Sequence, residues 1–187
     1  MASFVVVYDA CVLYPFHLRD LLVRLAMSGL FQAKWTDDIL DECFAALRSN
    51  RPDLDPERLD RTRRLMGTAV RDCLVTGHEP LIEGLELPDP DDRHVLAAAI
   101  RCNAQVIVTW NLADFPASAL EPFDVEAQSP DRFVRHLVDL APARVAQVLT
   151  EQAAALDEPP LSLDDLLRLL RRDGLTTAMA ALEEYRG

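Results

Sequence analysis

The sequence is short of every residue pattern that would announce a common cofactor or nucleophile. Its four cysteines, Cys11, Cys43, Cys73 and Cys102, include no C-x-x-C pair, and its four histidines never fall at H-x-x-x-H spacing. A disulfide framework and a structural zinc site are therefore both poor readings. Neither G-x-x-x-x-G-K-[ST] nor G-x-G-x-x-G occurs, so the usual glycine-rich cradles for nucleotide phosphates are missing. The G-x-S-x-G elbow of a serine hydrolase is absent too. Asp9-Ala-Cys11 lacks the second acid of a D-x-D-x-T phosphotransfer loop. Cys11 near His17 makes a poor thiol nucleophile and reads better as a packed cysteine. No apolar run approaches a membrane span, and no basic region precedes Phe4–Tyr8, which predicts a cytoplasmic, reduced protein without a membrane partner. Lysine is nearly missing as well, Lys34 being the one lysine, a skew to which no function attaches.

What is present is acid. A formal net charge of −12 over 187 residues speaks against gripping nucleic acid with the whole surface. It leaves room for a local basic groove, or for a cluster of acids that needs a cation. Half of the chain is hydrophobic, enough for a real core.

The chain is organised around Leu87–Phe115, LPDPDDRHVLAAAIRCNAQVIVTWNLADF. Asp89, Asp91 and Asp92 open it beside a proline suited to a first helical turn. Val95, Leu96, Ala99 and Ile100 then recur at helical spacing, and Gln105–Trp110 reads as a strand buried on both faces. Upstream, Phe4–Tyr8 predicts a first, central strand, and Cys11–Phe16 a loop. A helix carrying Leu18, Leu21, Leu22 and Leu25 stops at Gly29, and Leu30–Trp35 is a second strand. Thr36 caps a helix whose inner face holds Ile39, Leu40, Cys43, Phe44 and Leu47. Pro56 to about Asp72 is a further helix, burying Leu59, Thr62, Met66, Ala69 and Cys73, with Arg61, Arg64 and Arg71 opposite. Leu74–Val75 and Leu81–Ile82 read as short edge strands, and Phe123–Ala127 as the last strand. From Ser129 the chain is helical to its end, jointed at Pro142, Pro159-Pro160 and Gly174, with Ser162 capping one helix. Strands alternating with helices predict a three-layer α/β/α unit over residues 1–128, with a mostly parallel sheet, and a helical extension over 129–187.

Four acids converge in this reading. Asp9 ends the first strand, and Glu42 lies about 60° round the third helix from Ile39, on the shoulder of its buried stripe. Asp92 opens the focal helix, and Asp114 follows the next strand. Each has an ordinary alternative: Asp9 as a turn or cap, Glu42 as a solvated residue, Asp92 as a partner of free backbone N–H groups, Asp114 as a cap before Pro116. Together they form a self-repelling pocket of oxygen donors that suits Mg²⁺ or Mn²⁺ and hydrolysis of a phosphodiester. His94, beside Asp92, reads as structural or substrate-facing.

These residues resemble a PIN-domain ribonuclease. The carriers are VVVYDACVLYP, then WTDDILDE with Glu42, then DPDDRHVLAAAI with Asp92, and finally VTWNLADFP. The resemblance covers about residues 4–128. It implies a parallel sheet of order 3-2-1-4-5, Mg²⁺ or Mn²⁺ dependence, frequent homodimers and, for many bacterial members, a VapC-type toxin held inactive by an antitoxin. Asp9, Glu42, Asp92 and Asp114 would be the catalytic and metal-holding residues, with Thr109 and Asn111 in support. Many members have Asp where this chain has Asn111, which leaves the fourth ligand to Asp114, to Asn111 through a water, or to both. Arg61, Arg64 and Arg71 are the candidate contacts to RNA. The rival class is a catalytically decayed PIN-fold module that binds RNA or protein, and a weaker third is a small-molecule phosphohydrolase.

Overall fold

Uncharged, mostly branched side chains build the middle of a parallel sheet, where both faces are covered. The computed structural model of the chain describes residues 4–156 and 160–186, so the joint expected at Pro159 lies outside the described residues. Strands β1 (Val5–Tyr8), β2 (Gln32–Lys34), β3 (Val106–Val108) and β4 (Glu126–Gln128) form one parallel sheet in the order β2-β1-β3-β4. β1 and β3 are central, and Val6, Val7, Tyr8, Ile107 and Val108 are closed off from solvent. A fifth strand is reduced to one rung. Leu74 bridges Trp35 in parallel, Trp35 N–H donates to Cys73 O at 2.8 Å, and Val75 N–H donates to Trp35 O at 2.8 Å. With that rung counted as strand 3, the order is the expected 3-2-1-4-5.

The helices that pack round this sheet are α1 (Ala10–Leu13), α2 (Phe16–Met27), α3 (Asp37–Asn50), α4 (Pro56–Ala69), α5 (Glu79–Ile82), α6 (Arg93–Arg101) and α7 (Ala117–Leu120). After β4 come α8 (Pro130–Leu140), α9 (Pro142–Ala154), α10 (Leu163–Arg172) and α11 (Thr176–Arg186). Local chemistry sets their starts. Thr36 Oγ1 accepts from Ile39 N–H at 3.1 Å, and Ser129 Oγ from Arg132 N–H at 3.2 Å. Ser162 and Asp165 form a reciprocal capping box.

Four expectations are corrected. Cys11–Phe16 is not all loop: Ala10–Leu13 is helical, because the Asp9 side chain caps Ala10 N–H and the turn buries Val12 and Leu13. Leu81–Ile82 belongs to α5 rather than a strand; an isolated apolar pair carries no period, and Pro80 suits a first helical turn. The helix from Pro56 ends at Ala69, which is exposed, while Val70 turns inward; Arg71 therefore lies beyond the helix, and Thr62 is only half-buried. The last strand begins at Glu126, since Glu121–Phe123 is a 3₁₀ turn closed by Asp124 at φ +57°.

One hydrophobic cluster joins the sheet to the C-terminal helices. Tyr8 stacks on Trp35 with ring centroids 6.2 Å apart, and Phe133 of α8 meets Tyr8 and Phe31 edge-on at 6.4 and 5.1 Å. The Tyr8 hydroxyl donates to Leu22 O at 3.0 Å, so α2 and α8 share one sheet face. α9 packs on α2, and the buried Gln152 Nε2 donates to His17 O at 3.0 Å. α11 packs chiefly on α8, where Asp131 accepts from Thr177 N–H, Thr177 Oγ1 and Ala178 N–H at 3.2, 2.8 and 2.9 Å. Among the described residues no helix is long and apolar enough to cross a membrane.

Candidate active site

Because the strands are parallel, the residues that follow them gather at one end of the sheet. Tyr8 and Val108 are register partners, so Asp9 and Thr109 leave the sheet side by side, and Asp9 N–H donates to Val108 O at 3.1 Å. Asp9 is 2% exposed and its carboxylate is held on both oxygens. Oδ1 accepts from Ala10 N–H at 2.7 Å, and Oδ2 accepts from Thr109 Oγ1 at 2.6 Å and Cys11 Sγ at 3.2 Å. The two side-chain donors are themselves directed. Thr109 Oγ1 accepts from Asn111 N–H at 3.0 Å, and Cys11 Sγ accepts from Trp110 N–H at 3.3 Å, leaving each proton for Asp9. Burial, and then the charge of Asp9, push the Cys11 thiol up to about 12, so it stays protonated as a donor.

Asp92 faces this pair from the start of α6. Asp89 takes the capping role, its Oδ1 accepting from Asp91 N–H at 2.9 Å, and leads a 3₁₀ turn into the helix. Asp92 makes no capping bond, so the ordinary explanation for it is not the one realised. Its carboxyl is pushed up to about 6, first by burial, then by the charges of Asp9, Asp89, Asp114 and Glu42. That set of causes ties together all four acids singled out in the sequence. Asp114 lies in a 3₁₀ turn after β3 and is half-buried, whereas Asn111 is exposed.

Glu42 comes from α3 with its side chain 56% exposed, and its Oε2 lies 3.5 Å from His94 Nε2. Burial would lower the His94 pKa, but the hydrogen bond to Glu42 and the charges of Glu42, Asp38 and Asp9 outweigh it and raise the value. His94 and Cys11 are thus in the site, although neither carried a ligand-spacing signal. What marked them was adjacency alone, one two residues after Asp9 and the other two after Asp92. Arg61 and Arg64 are exposed on α4 and Arg71 beyond it. Their neighbour Arg63 is taken up by Asp37 and Asp41 of α3.

Acids whose charges together raise the pKa of Asp92 form the kind of set a hard dication neutralises. Among the described residues, no three His, Cys, Asp or Glu side chains already stand in position round one point.

Comparison with known proteins agrees with this geometry. Residues 5–113, which include β1, α3, α6 and β3, match the family model described as PIN domain. The chain belongs to the PIN-domain family. Residues 130–184 match a second model, described as VapC50 C-terminal domain, which takes in α8 to α10 and most of α11. A protein of Mycobacterium tuberculosis (strain H37Rv) described as "Putative ribonuclease VapC50" is 43% identical over 79 residues, 42% of this chain and 47% of that protein. The match thus spans about half the length of that curated relative. No solved structure matches the chain.

Proposed function

We propose that the chain is a Mg²⁺- or Mn²⁺-dependent endoribonuclease that hydrolyses RNA phosphodiester bonds, the toxin of a VapBC-type pair acting in the cytoplasm. The observation that carries this reading is the electrostatic coupling of Asp9, Glu42, Asp92 and Asp114 beyond the carboxyl ends of β1 and β3. Acids that repel one another in a half-buried pocket have no stabilising role without a counter-ion. Membership of the PIN-domain family, together with the ribonuclease description of the relative, agrees with it.

Asp9, Asp92 and Asp114, with Glu42 at the margin, would hold the cation. When bound, it supplies Lewis acidity and neutralises negative charge developing on the phosphate. The chain's own residues do the rest. Ala10 N–H and the Thr109 hydroxyl fix both oxygens of Asp9, so that its lone pairs point one way. Asp92 must lose its proton to bind, which its raised pKa delays to about pH 6. His94 Nε2 faces Glu42 Oε2 at 3.5 Å, and the acids round it favour its protonated form, in which it would offset the charge of Glu42. For an antitoxin, the groove between α2 and α4 is the best-suited surface, because Phe16, Met27 and Leu65 on its rim are each more than half exposed.

Cleavage of a labelled RNA pool by purified protein tests the reading. Activity should require Mg²⁺ or Mn²⁺ and vanish in Asp9→Asn and in Asp92→Asn while the circular dichroism spectrum is kept. A fold-intact wild type that binds RNA without cutting it, and ignores both substitutions, would instead be a decayed binding module.

A further inference from the structure

Trp110 is where the C-terminal helices reach the site. It follows Thr109 at the end of β3, and its indole lies on the turn between α10 and α11. That turn is a Schellman close: Leu175 N–H donates to Leu170 O at 2.9 Å and Gly174 N–H to Arg171 O at 3.0 Å. Gly174 sits at φ +107°, and a Cβ there would stand 2.7 Å from Trp110 Cη2 and 3.3 Å from Cζ2. Bare backbone is thus what receives the distal edge of the indole. The turn does not give way easily, because Leu175 is fully buried and Asp131 of α8 ties down the start of α11 through three hydrogen bonds. At its other end Trp110 donates its backbone N–H to Cys11 Sγ at 3.3 Å, and the Cys11 thiol donates to Asp9 Oδ2 at 3.2 Å.

We propose that the C-terminal extension positions Asp9 through Gly174, Trp110 and Cys11, making these three positioning residues of the site. This rests on the metal-site reading above as far as its effect on metal is concerned; the mechanical link itself does not. Of the three donors on Asp9, Cys11 is the one whose sulfur is in turn fixed by Trp110. A displaced indole moves the Trp110 amide, the amide moves the thiol, and the carboxylate loses one of its directing donors. Close-packed interiors transmit such shifts rather than absorbing them.

The test is a double-mutant cycle on the full chain, with Mn²⁺ affinity read by titration and stability by thermal melting. Gly174→Ala should weaken Mn²⁺ binding by about tenfold or more, as loss of an outer-shell partner commonly does. In the Trp110→Phe background, where the distal edge of the indole is gone, Gly174→Ala should leave Mn²⁺ affinity unchanged. The melting temperature should still fall there, because the positive φ remains unfavourable for alanine. Cys11→Ala should lower Mn²⁺ affinity and make Gly174→Ala silent, and Cys11→Ser should restore affinity. A second readout needs no metal: alkylation by iodoacetamide, followed by mass spectrometry at all four cysteines. Gly174→Ala should speed labelling of Cys11 while Cys43, Cys73 and Cys102 keep their wild-type rates. Equal acceleration at all four, or none at Cys11, overturns the proposal, as does an equal loss of Mn²⁺ affinity in both Trp110 backgrounds. Selective labelling in a wild type that binds no Mn²⁺ would support the link and sink the nuclease reading instead. Should Gly174→Ala not fold, Mn²⁺ affinity in the Cys11→Ala and Cys11→Ser pair decides: loss in the first with recovery in the second supports the link, and no loss in the first overturns it.

Discussion

At the scale of single residues, the site stores charge repulsion that a fall in pH releases. The Asp92 carboxyl stands at about 6 in the folded chain against an ordinary 3.8. Its contribution to stability is therefore fully present below about pH 3.8 and is lost as the pH rises through about 6. His94, raised above its ordinary 6.5, adds to the same slope at higher pH. In the absence of metal, Asp92→Asn should melt higher than wild type at pH 7.5 and show a flatter pH dependence between pH 4 and 7. Solvent screening of this half-exposed group keeps the gain small. A variant that melts lower than wild type at pH 7.5 would mean that Asp92 is a structural acid. With Mn²⁺ present the order should reverse, because the ion binds only the ionised form. Asp114 and Asn111 are separable in the same way. Asp114 acts on Asp92 and is half-buried, so Asp114→Asn should cost more cleavage activity than Asn111→Ala, with part restored by higher Mn²⁺.

At the scale of elements, most of the secondary structure is legible in the sequence because its signals are local. β1 and β3 announce themselves by branched apolar runs, and the helices by caps such as Thr36, Ser129 and Ser162. Ser162→Ala should cost about 1 kcal/mol in a denaturant titration, since it removes the bond that the hydroxyl accepts from Asp165 N–H and the one it donates to the Asp165 carboxylate, leaving that acid only the backbone N–H of residue 162. α1 and α5 escape a sequence reading for one reason: four residues give no helical period, and each hangs on a neighbouring contact instead. The arginine face of α4 is smaller than its sequence suggests. Arg61 and Arg64 remain on it, while Arg71 follows the helix end. Replacing all three by Gln should flatten the salt dependence of single-stranded RNA binding by about 0.7 in log–log slope per lost phosphate contact. If Arg71 points away from the path of RNA, restoring it alone will not recover any slope, whereas restoring Arg61 or Arg64 will.

At the scale of the whole molecule, the sequence yields the four acids but not the lattice that supports them. Asp9, Asp92 and Asp114 each follow or open an element whose type is readable, so parallel topology sends them to one end of the sheet, while Glu42 comes from within α3, on the shoulder of its buried stripe. The donors behind Asp9 are not readable in this way. Cys11 looks like any packed cysteine, and nothing in Trp110 or Gly174 says that they meet, because a contact between distant turns leaves no periodic trace. The core shows the same division. Phe133 is readable as a buried helix residue, but its seat between Tyr8 and Phe31 is a tertiary fact. Phe133→Ala should lower stability by about 3–5 kcal/mol, read from chemical denaturation, and should loosen α8 from the sheet.

The register of β1 against β3 also sets a clock. Val6 pairs with Val106 and Tyr8 with Val108, so the two central strands are made far apart in time. At about 5–20 residues per second of synthesis, Asp9 waits roughly 5–20 seconds before Thr109 and Asp114 exist to stand beside it. During that interval the nascent chain can pair β1 with β2 and fold α2 and α3 around them, yet until residue 92 is made it holds only Asp9 and Glu42 of the four acids, and Asp114 comes after β3. A cell making this protein therefore has a delay, written into the strand order, between starting the chain and completing its acidic end.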